Sequence, residues 1–517
     1  MLFSSAVFIL AFLPVTLLGF HFLGRAGQRA EFVWLSTASL FFYAYWNPLY
    51  LLVLLGSVLI NHTLSRRIAA ARDRPNGSFW LPLSITANLL LLFWYKYLFS
   101  VLSFVHGLGG PTPPEWAHVL LPLGISFFTF TQIAYLVDLS QGAAEPENLL
   151  SYTFFVTFFP HLIAGPILHH SEIMPQIRAR KPGGLDSGDL ALGATWFVMG
   201  LSKKVLIADS VGVIADGFYR QPAAAGAVAS WVGVVAYAVQ LYFDFSGYSD
   251  MAMGLARMFS IRFPLNFNSP FKTYNIIDFW SHFHMTLTRY LTAYLYNPIS
   301  LRINRWRIAK GKTVSRRALK TLGGFTQLVA TPTIITFGLA GIWHGAGIQF
   351  FLFGLLHGLY LTINHAWRIF TADRPSLHRL VPKPAGYVLT AGAVLFSWIF
   401  FRAANMADAS TTIAGLLHRH GGLGLGAFLV GLKPLDASWK ALLFLAIALL
   451  AAWFMPNTQQ ILGQDPQDNR RADAAHRPRA VLFRPNLIWG TATGLLLTLC
   501  IFKVAVGHTP PFLYFQF

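Results

Sequence analysis

The chain has 517 residues, 55% of them hydrophobic and only 11% charged, with a mean hydropathy of +0.52. These values place it among polytopic membrane proteins and exclude the roughly two or three soluble domains that its length alone would imply. The formal charge of +19 reads as basic loops held on the cytoplasmic face, not as a nucleic-acid surface, and the lone Cys500 excludes an intrachain disulfide and a cysteine-based metal site.

The first element, MLFSSAVFILAFLPVTLLGFHFLG, has neither a basic n-region nor an A-x-A cleavage site and is expected to persist as an uncleaved first span. Further apolar segments are expected at 31–46, 49–62, 79–104, 118–139, 148–168, 188–215, 227–258, 323–343, 347–368, 385–403, 438–455 and 486–506, about a dozen spanning, re-entrant or interfacial helices in all. Backbone groups facing lipid must be satisfied within their own segment, so the expected fold is an all-α polytopic bundle. Runs such as ALLFLAIALLAAWFM do not alternate, which argues against a β-barrel. No internal repeat, low-complexity linker or soluble insert breaks the pattern; residues 1–509 read as one integral membrane domain, followed by an aromatic tail at 510–517.

Orientation follows from the basic loops. Arg25 and Arg29 follow the first span, and Arg66, Arg67, Arg72 and Arg74 follow the third, whereas the loop HGLGGPTPPEWAH has no Lys or Arg. The positive-inside rule then puts the N-terminus outside. The segment LRINRWRIAKGKTVSRRALK at 301–320 is expected to be cytoplasmic, as are the loops with Arg374, Arg379 and Lys383 and with Arg470, Arg471, Arg477, Arg479 and Arg484. The last span therefore runs outward, and PPFLYFQF lies on the outer side or folds back into the bundle.

Ionisable groups within apolar spans cost about 2.5–3.5 kcal/mol each near the bilayer centre, so those present need a reason. Two clusters meet that description. In LYFDFSGYSDMAMGLARMF, Asp244 and Asp250 flank Ser246, Tyr248 and Ser249. They read either as candidates for substrate or donor binding or as a hydrogen-bond network that locks helices together. The second cluster joins FWSHFHMTLTRYLTAYLYNPI to GLAGIWHGAGIQFFLFGLLHG. His284 lies in an aromatic-rich stretch suited to the membrane interface, beside Arg289. His344 closes an apolar helix at a Trp-His-Gly turn, and Gly341, Gly345 and Gly347 permit close backbone approach.

A metal site is disfavoured, because there is no H-E-x-x-H and no carboxylate at ligand spacing. A serine hydrolase is disfavoured by the lack of G-x-S-x-G. A buried neutral histidine can instead act as a base near neutral pH, taking a proton from a hydroxyl as it attacks a thioester; the plain alternative is a packing histidine. Tyr514 in the tail is either such a hydroxyl or an aromatic anchor at the membrane interface.

The chain resembles the membrane-bound O-acyltransferase (MBOAT) superfamily, in particular its bacterial alginate O-acetyltransferase-like branch. The likeness rests on MLFSSAVFILAFLP, LPLGISFFTFTQIAYLVD, FFPHLIAGPI, LYFDFSGYSDMAMGL, NFNSPF, FWSHFHMTLTRYL and GIWHGA, which together span nearly the whole chain. The resemblance implies a helical bundle with a cytoplasmic funnel and a transmembrane tunnel. It implies that His344 is the general base and that His284 is the second polar catalytic position, orienting or polarising the donor. FWSHFHMTLTRYLTAYLYNPI departs from the FWRRWHISLSTWLRDYLY pattern of alginate-type members and leaves the acceptor polymer unassigned.

FLYFQF resembles an aromatic-tyrosine motif of envelope-acylation systems, so Tyr514 is expected to carry the acyl group. The implied donor is acetyl-CoA or another acyl thioester, with no permanently bound cofactor and no metal. Arg289 and the 301–320 segment are then candidates for holding donor phosphates, and Trp280 and Trp343 for walls around the histidines. The implied partners are a periplasmic SGNH-type transferase, an exported polysaccharide and membrane lipids, with no nucleic acid. The implied location is the bacterial inner membrane, with the N-terminus periplasmic. A lipid or small-molecule acyltransferase and a non-catalytic transporter remain as alternatives.

Overall fold

Every regular element among the described residues is helical, as the need to satisfy backbone groups within each segment requires. The computed structural model describes residues 1–72, 79–180, 184–224, 226–373, 377, 380–417, 438–464, 483–507 and 510–513, with no strand among the described residues. Tyr514 lies outside them, as do Arg74, Arg374, Arg379, Arg470, Arg471, Arg477 and Arg479.

Among the described residues, five helices have the length and apolarity to cross a membrane: Pro48–Ala71, Ala227–Met258, Leu322–His344, Lys383–Arg402 and Leu487–Val506. A sixth span is possible in composition, Trp80–Lys96 with Leu98–Gly107, but it bends by 57° at Tyr97. Phe8–Gly24, Ile125–Ser140 and Trp439–Phe454 are shorter apolar helices. Three expected spans are interrupted by π-helical turns, at Phe8–Phe12, Lys203–Ala208 and Thr326–Ala330, and another such turn, Thr292–Tyr296, lies outside them. Such turns insert a residue into the hydrogen-bond ladder and re-aim the side chains that follow.

Contacts group the chain into two compact units. The first comprises Met1–Leu206, Asp244–Leu265 and the described residues from Pro456 onward. At its N-terminal end Phe3, Phe8, Phe12 and Phe42 meet Phe159, with ring centroids 5.0–6.4 Å apart, so the opening motif packs on FFPHLIAGPI. Polar pairs cross between helices: Asn61 and Asn88 exchange amide hydrogen bonds of 2.6 and 3.1 Å, and Gln132 donates to Ser57 Oγ at 2.9 Å. Glu147 is buried between His170, 2.7 Å away, and Arg178. Burial raises its carboxyl, but the hydrogen bond with His170 and the charge of Arg178 prevail and hold it below the usual carboxylate range.

Glycines set the closest helix crossing of this unit. A Cβ at Gly247 would lie 2.7 Å from Gly200 O, one at Gly200 would lie 2.6 Å from Gly247 O, and one at Gly193 would lie 2.6 Å from Gly254 O. Helices Ser187–Ser202 and Ala227–Met258 thus meet through pairs of glycines seven residues apart, the small-residue packing that membrane helices use.

The second unit comprises Ile207–Phe243 and Asn266–Met455. Its centre is a hairpin of Leu322–His344 and Ile348–Phe370 joined by Gly345, Ala346 and Gly347. A Cβ at Gly341 would lie 2.3 Å from Phe350 O, and one at Gly354 would lie 2.1 Å from Phe337 O, so these helices touch backbone to backbone.

Backbone oxygens cannot move aside for a new side chain. Gly247→Val is therefore expected to lower the stability of the detergent-solubilised protein by about 1–3 kcal/mol or more. Thermal unfolding followed by size-exclusion chromatography reads this; a variant that melts with the wild type would show that the crossing is looser than described.

Candidate active site

The segment NFNSPF places Asn266 beneath the turn that carries His284. Asn268 N–H donates to His282 O at 2.8 Å, and Met285 N–H donates to Asn266 O at 2.9 Å. The short helix Ile276–Trp280 precedes the turn, capped by Asn275, whose side chain accepts from Asp278 N–H. His284 itself has φ 48 and ψ 50, a left-handed conformation for a non-glycine residue, and it precedes helix Met285–Leu291. Such a conformation costs free energy and persists where surrounding bonds over-determine it, often at functional sites.

Asn266 Oδ1 accepts from Thr286 N–H at 3.3 Å, from Thr286 Oγ1 at 2.8 Å, and meets His284 Nδ1 at 3.0 Å. The backbone N–H can only donate, which settles the orientation of the Asn266 amide. An oxygen facing Nδ1 requires Nδ1–H, so in the neutral ring the lone pair resides on Nε2. Burial pushes this imidazole down to about 3, so the ring is neutral at physiological pH and Nε2 is a hydrogen-bond acceptor.

His344 ends helix Thr331–His344 and is buried, 7% exposed. Gly345 continues in an extended conformation, and a Cβ there would strike the Phe350 ring at 2.2 Å. The His344 ring has Trp343 at 4.7 Å and stands edge-to-face with Phe353 at 5.7 Å and Phe401 at 5.1 Å. Gly341 and Gly354 bring the two helices of the hairpin close enough for these rings to meet.

A third histidine, His357, is fully buried on the next helix. Trp280 Nε1–H, a donor only, donates a hydrogen bond to His357 Nδ1 at 3.2 Å. His357 Nε2 then carries the ring proton and donates to Ser397 Oγ at 2.8 Å, and Ser397 donates to Val394 O at 2.9 Å. This network has one consistent direction and pins three helices.

Ring contacts run from one histidine to the other. His344 meets Phe353, Phe353 meets His357 at 4.8 Å, and His357 meets Trp280 at 5.0 Å. Trp280 meets Phe283 at 6.1 Å, and Phe283 meets Phe267, which stacks on His284 at 6.5 Å. Trp343 thus walls His344, whereas Trp280 is bonded to His357.

Arg289 is exposed on helix Met285–Leu291. The basic segment forms helix Asn297–Ala309 and a following turn, in which buried Arg307 donates to Thr313 O at 3.0 Å and bonds Gln327. Arg302, Arg305, Lys310, Lys312, Arg316 and Arg317 are exposed.

The two aspartates belong to the first unit, and both have specific partners. Asp244 pairs with Lys204 at 2.7 Å, and its Oδ2 accepts from Leu513 N–H at 2.9 Å. Asp250 pairs with Lys203 at 2.6 Å, and it accepts from Trp196 Nε1–H at 3.2 Å and from Thr458 Oγ1 at 2.7 Å. Asp250 therefore joins helix Ala227–Met258 to Ser187–Ser202 and Thr458–Ile461.

Asn266, His357, Ser397 and Lys204 are not among the residues that the sequence marks by themselves. The polar run NFNSPF and the histidine of LLHG were the available signals. Among the described residues, no cluster of three or more His, Cys, Asp or Glu is placed to hold a metal ion.

The family model of MBOAT, the membrane-bound O-acyltransferase family, matches residues 83–310. That stretch includes His284 and its Asn266 partner and stops short of His344. The chain is 37% identical over 449 residues to a peptidoglycan O-acetyltransferase of Helicobacter pylori, covering 81% of this chain and 80% of the relative. It is 33% identical over 556 residues to a probable alginate O-acetylase, AlgI, of Pseudomonas aeruginosa, covering 100% of both. A teichoic acid D-alanyltransferase of Bacillus subtilis is 27% identical over 297 residues, covering 57% of this chain and 70% of that protein.

A depressed histidine makes stability depend on pH. Between the ordinary value of 6.5 and about 3, the unfolded chain binds a proton at His284 that the folded chain refuses. Stability is thus full above the ordinary value and falls as pH drops through this window. Melting temperatures of the wild type should fall more steeply with acid than those of His284→Gln; parallel pH profiles would refute the assignment. Asn266→Ala removes the shared acceptor and should cost about 1–3 kcal/mol in the same melts.

Proposed function

The chain belongs to the membrane-bound O-acyltransferase family and is an integral-membrane acyltransferase; from that premise we propose that it moves an acetyl group from a cytoplasmic thioester to an exported polysaccharide by way of Tyr514. The observation that carries this reading is a buried pair of imidazoles, His344 and His284, joined through contacting rings in one helical unit.

In this mechanism acetyl-CoA enters from the cytoplasm and is consumed as a substrate; no resident cofactor takes part. His344 removes the phenol proton of Tyr514. The phenolate attacks the thioester carbonyl, an oxygen–carbon bond forms, the carbon–sulfur bond breaks, and the imidazolium returns the proton to the thiolate. Because Asn266 Oδ1 accepts a hydrogen bond from Nδ1–H, Nε2 of His284 orients a reactant by accepting a hydrogen bond from it. Arg289 and the exposed cations of 301–320 hold the donor phosphates. Asp250 serves the bundle by linking helices.

A phenol has an ordinary pKa of about 10 and needs only a modest base. Its ester stays activated, since phenolate leaves more readily than a sugar alkoxide. A periplasmic SGNH-type transferase then passes the acetyl group to the polymer. Relatives named for alginate and for peptidoglycan favour a polysaccharide acceptor over a lipid. The basic loops favour the bacterial inner membrane with a periplasmic N-terminus.

Purified protein incubated with acetyl-CoA should gain one acetyl group, mapped by mass spectrometry to the final peptide. Tyr514→Phe should abolish that adduct and polymer acetylation in cells; wild-type polymer acetylation would remove the carrier from the scheme. His344→Ala should slow acetyl transfer by about a hundredfold or more, and unchanged turnover would refute the base.

A further inference from the structure

Phe512 and Leu513 are held by main-chain and ring contacts that the transfer chemistry does not require. Leu513 N–H donates to Asp244 Oδ2 at 2.9 Å, and Phe512 and Leu513 are buried, 3% and 4% exposed. The Phe512 ring stacks on Tyr248 at 4.6 Å with an interplanar angle of 24°, and it lies 5.6 Å from Phe245. On Tyr248, Phe3 also stacks, at 4.9 Å and 20°. The ring is thus bracketed by residues from both ends of the chain.

Asp244 is itself held in place. Lys204 Nζ approaches its Oδ1 at 2.7 Å, and both side chains are almost wholly buried. The lysine stands at the π-helical turn Lys203–Ala208, just past the Gly200–Gly247 crossing. A buried carboxylate needs such a counter-charge to stay ionised. One oxygen of Asp244 meets the ammonium and the other receives the tail.

We propose that Asp244, Lys204, Phe245 and Tyr248 form a docking site for the chain's own C-terminal segment, in which Asp244 is the positioning residue for Tyr514. This rests on the reading of Tyr514 as acyl carrier. Tyr514 is the next residue after Leu513, and consecutive Cα atoms are about 3.8 Å apart. Fixing the Leu513 N–H therefore restricts the volume that the phenol can search, which raises its effective concentration at the donor. The contact is to the backbone, so it favours no side chain at 514 and survives acylation of the hydroxyl.

The test compares three variants of the full-length protein in detergent. Asp244→Leu with Lys204→Met removes acceptor and counter-charge together, the exchange a packed core tolerates best. Asp244→Asn with Lys204→Met keeps an acceptor without the charge. Leu513→Pro removes the donor from the tail while leaving the Asp244–Lys204 pair in place. Hydrogen–deuterium exchange of the C-terminal peptide reports docking, and mass spectrometry of the same peptide reports its acetyl load from acetyl-CoA.

The Leu/Met variant should lose amide protection in that peptide, and both it and the Pro variant should lose about tenfold of its acetylation rate. The Asn/Met variant should recover most of both. Acetylation of added p-cresol, a phenol free in solution, should be unchanged in all three. A Leu/Met variant with wild-type protection or wild-type loading of the tail would overturn the proposal, as would a parallel loss of cresol acetylation in Leu513→Pro. Polymer acetylation that survives Tyr514→Phe would defeat the carrier, and the positioning role with it, while the exchange data would still judge the docking contact separately.

Discussion

A polar side chain inside a helical membrane bundle must find its partner within the protein, because lipid offers none. That requirement shapes both units of this chain. Asp244 and Asp250 are tolerable because Lys204 and Lys203 meet them. The lysines reach them because paired glycines let two helices cross at backbone contact. In the second unit, Trp280, His357 and Ser397 satisfy one another in a single consistent direction. The positions of the buried imidazoles follow from these matches rather than from helix packing alone.

The same constraint decides which nitrogen of His284 can accept a hydrogen bond. A neutral imidazole has one donor and one acceptor, and its neighbour chooses between them. Asn266 Oδ1 chooses the Nδ1 proton, while the Thr286 N–H fixes which way the amide faces. Placing one side chain to make these bonds requires the left-handed turn at His284. Backbone strain and ring tautomer are thus two aspects of one arrangement: relaxing the turn would carry the ring away from the oxygen that sets its protonation.

The helical class was legible in the sequence, and His284 and His344 stood out there as candidates because a histidine in an apolar, aromatic stretch is anomalous against its surroundings; the structure buries both. Acyltransferase membership was legible from motifs spread over the chain, and the matched relatives bear it out. Asn266 and His357 were not legible as partners. Asn266 lies 18 residues from His284, and His357 lies 77 from Trp280; no local spacing rule joins them. Asp244 and Asp250 were visible as costly groups, but either a binding role or a locking role fitted the spacing. Their cationic partners lie on another helix, one interrupted by a π-helical turn that hydropathy does not register.

On the proposal that Tyr514 carries the acyl group, attachment through a backbone amide has a consequence for a carrier that must change its chemical state. Had the tail been held through the phenol, acylation would consume the hydrogen that holds it, and loading would be coupled to release. A bond from Leu513 N–H to Asp244 does not involve the oxygen of the next side chain, so under that proposal this contact holds empty and loaded tails alike. A docking site with equal affinity for both states shifts neither. Direction must then come from the thioester at one end and from removal of the acyl group at the other, leaving Asp244 to set geometry alone.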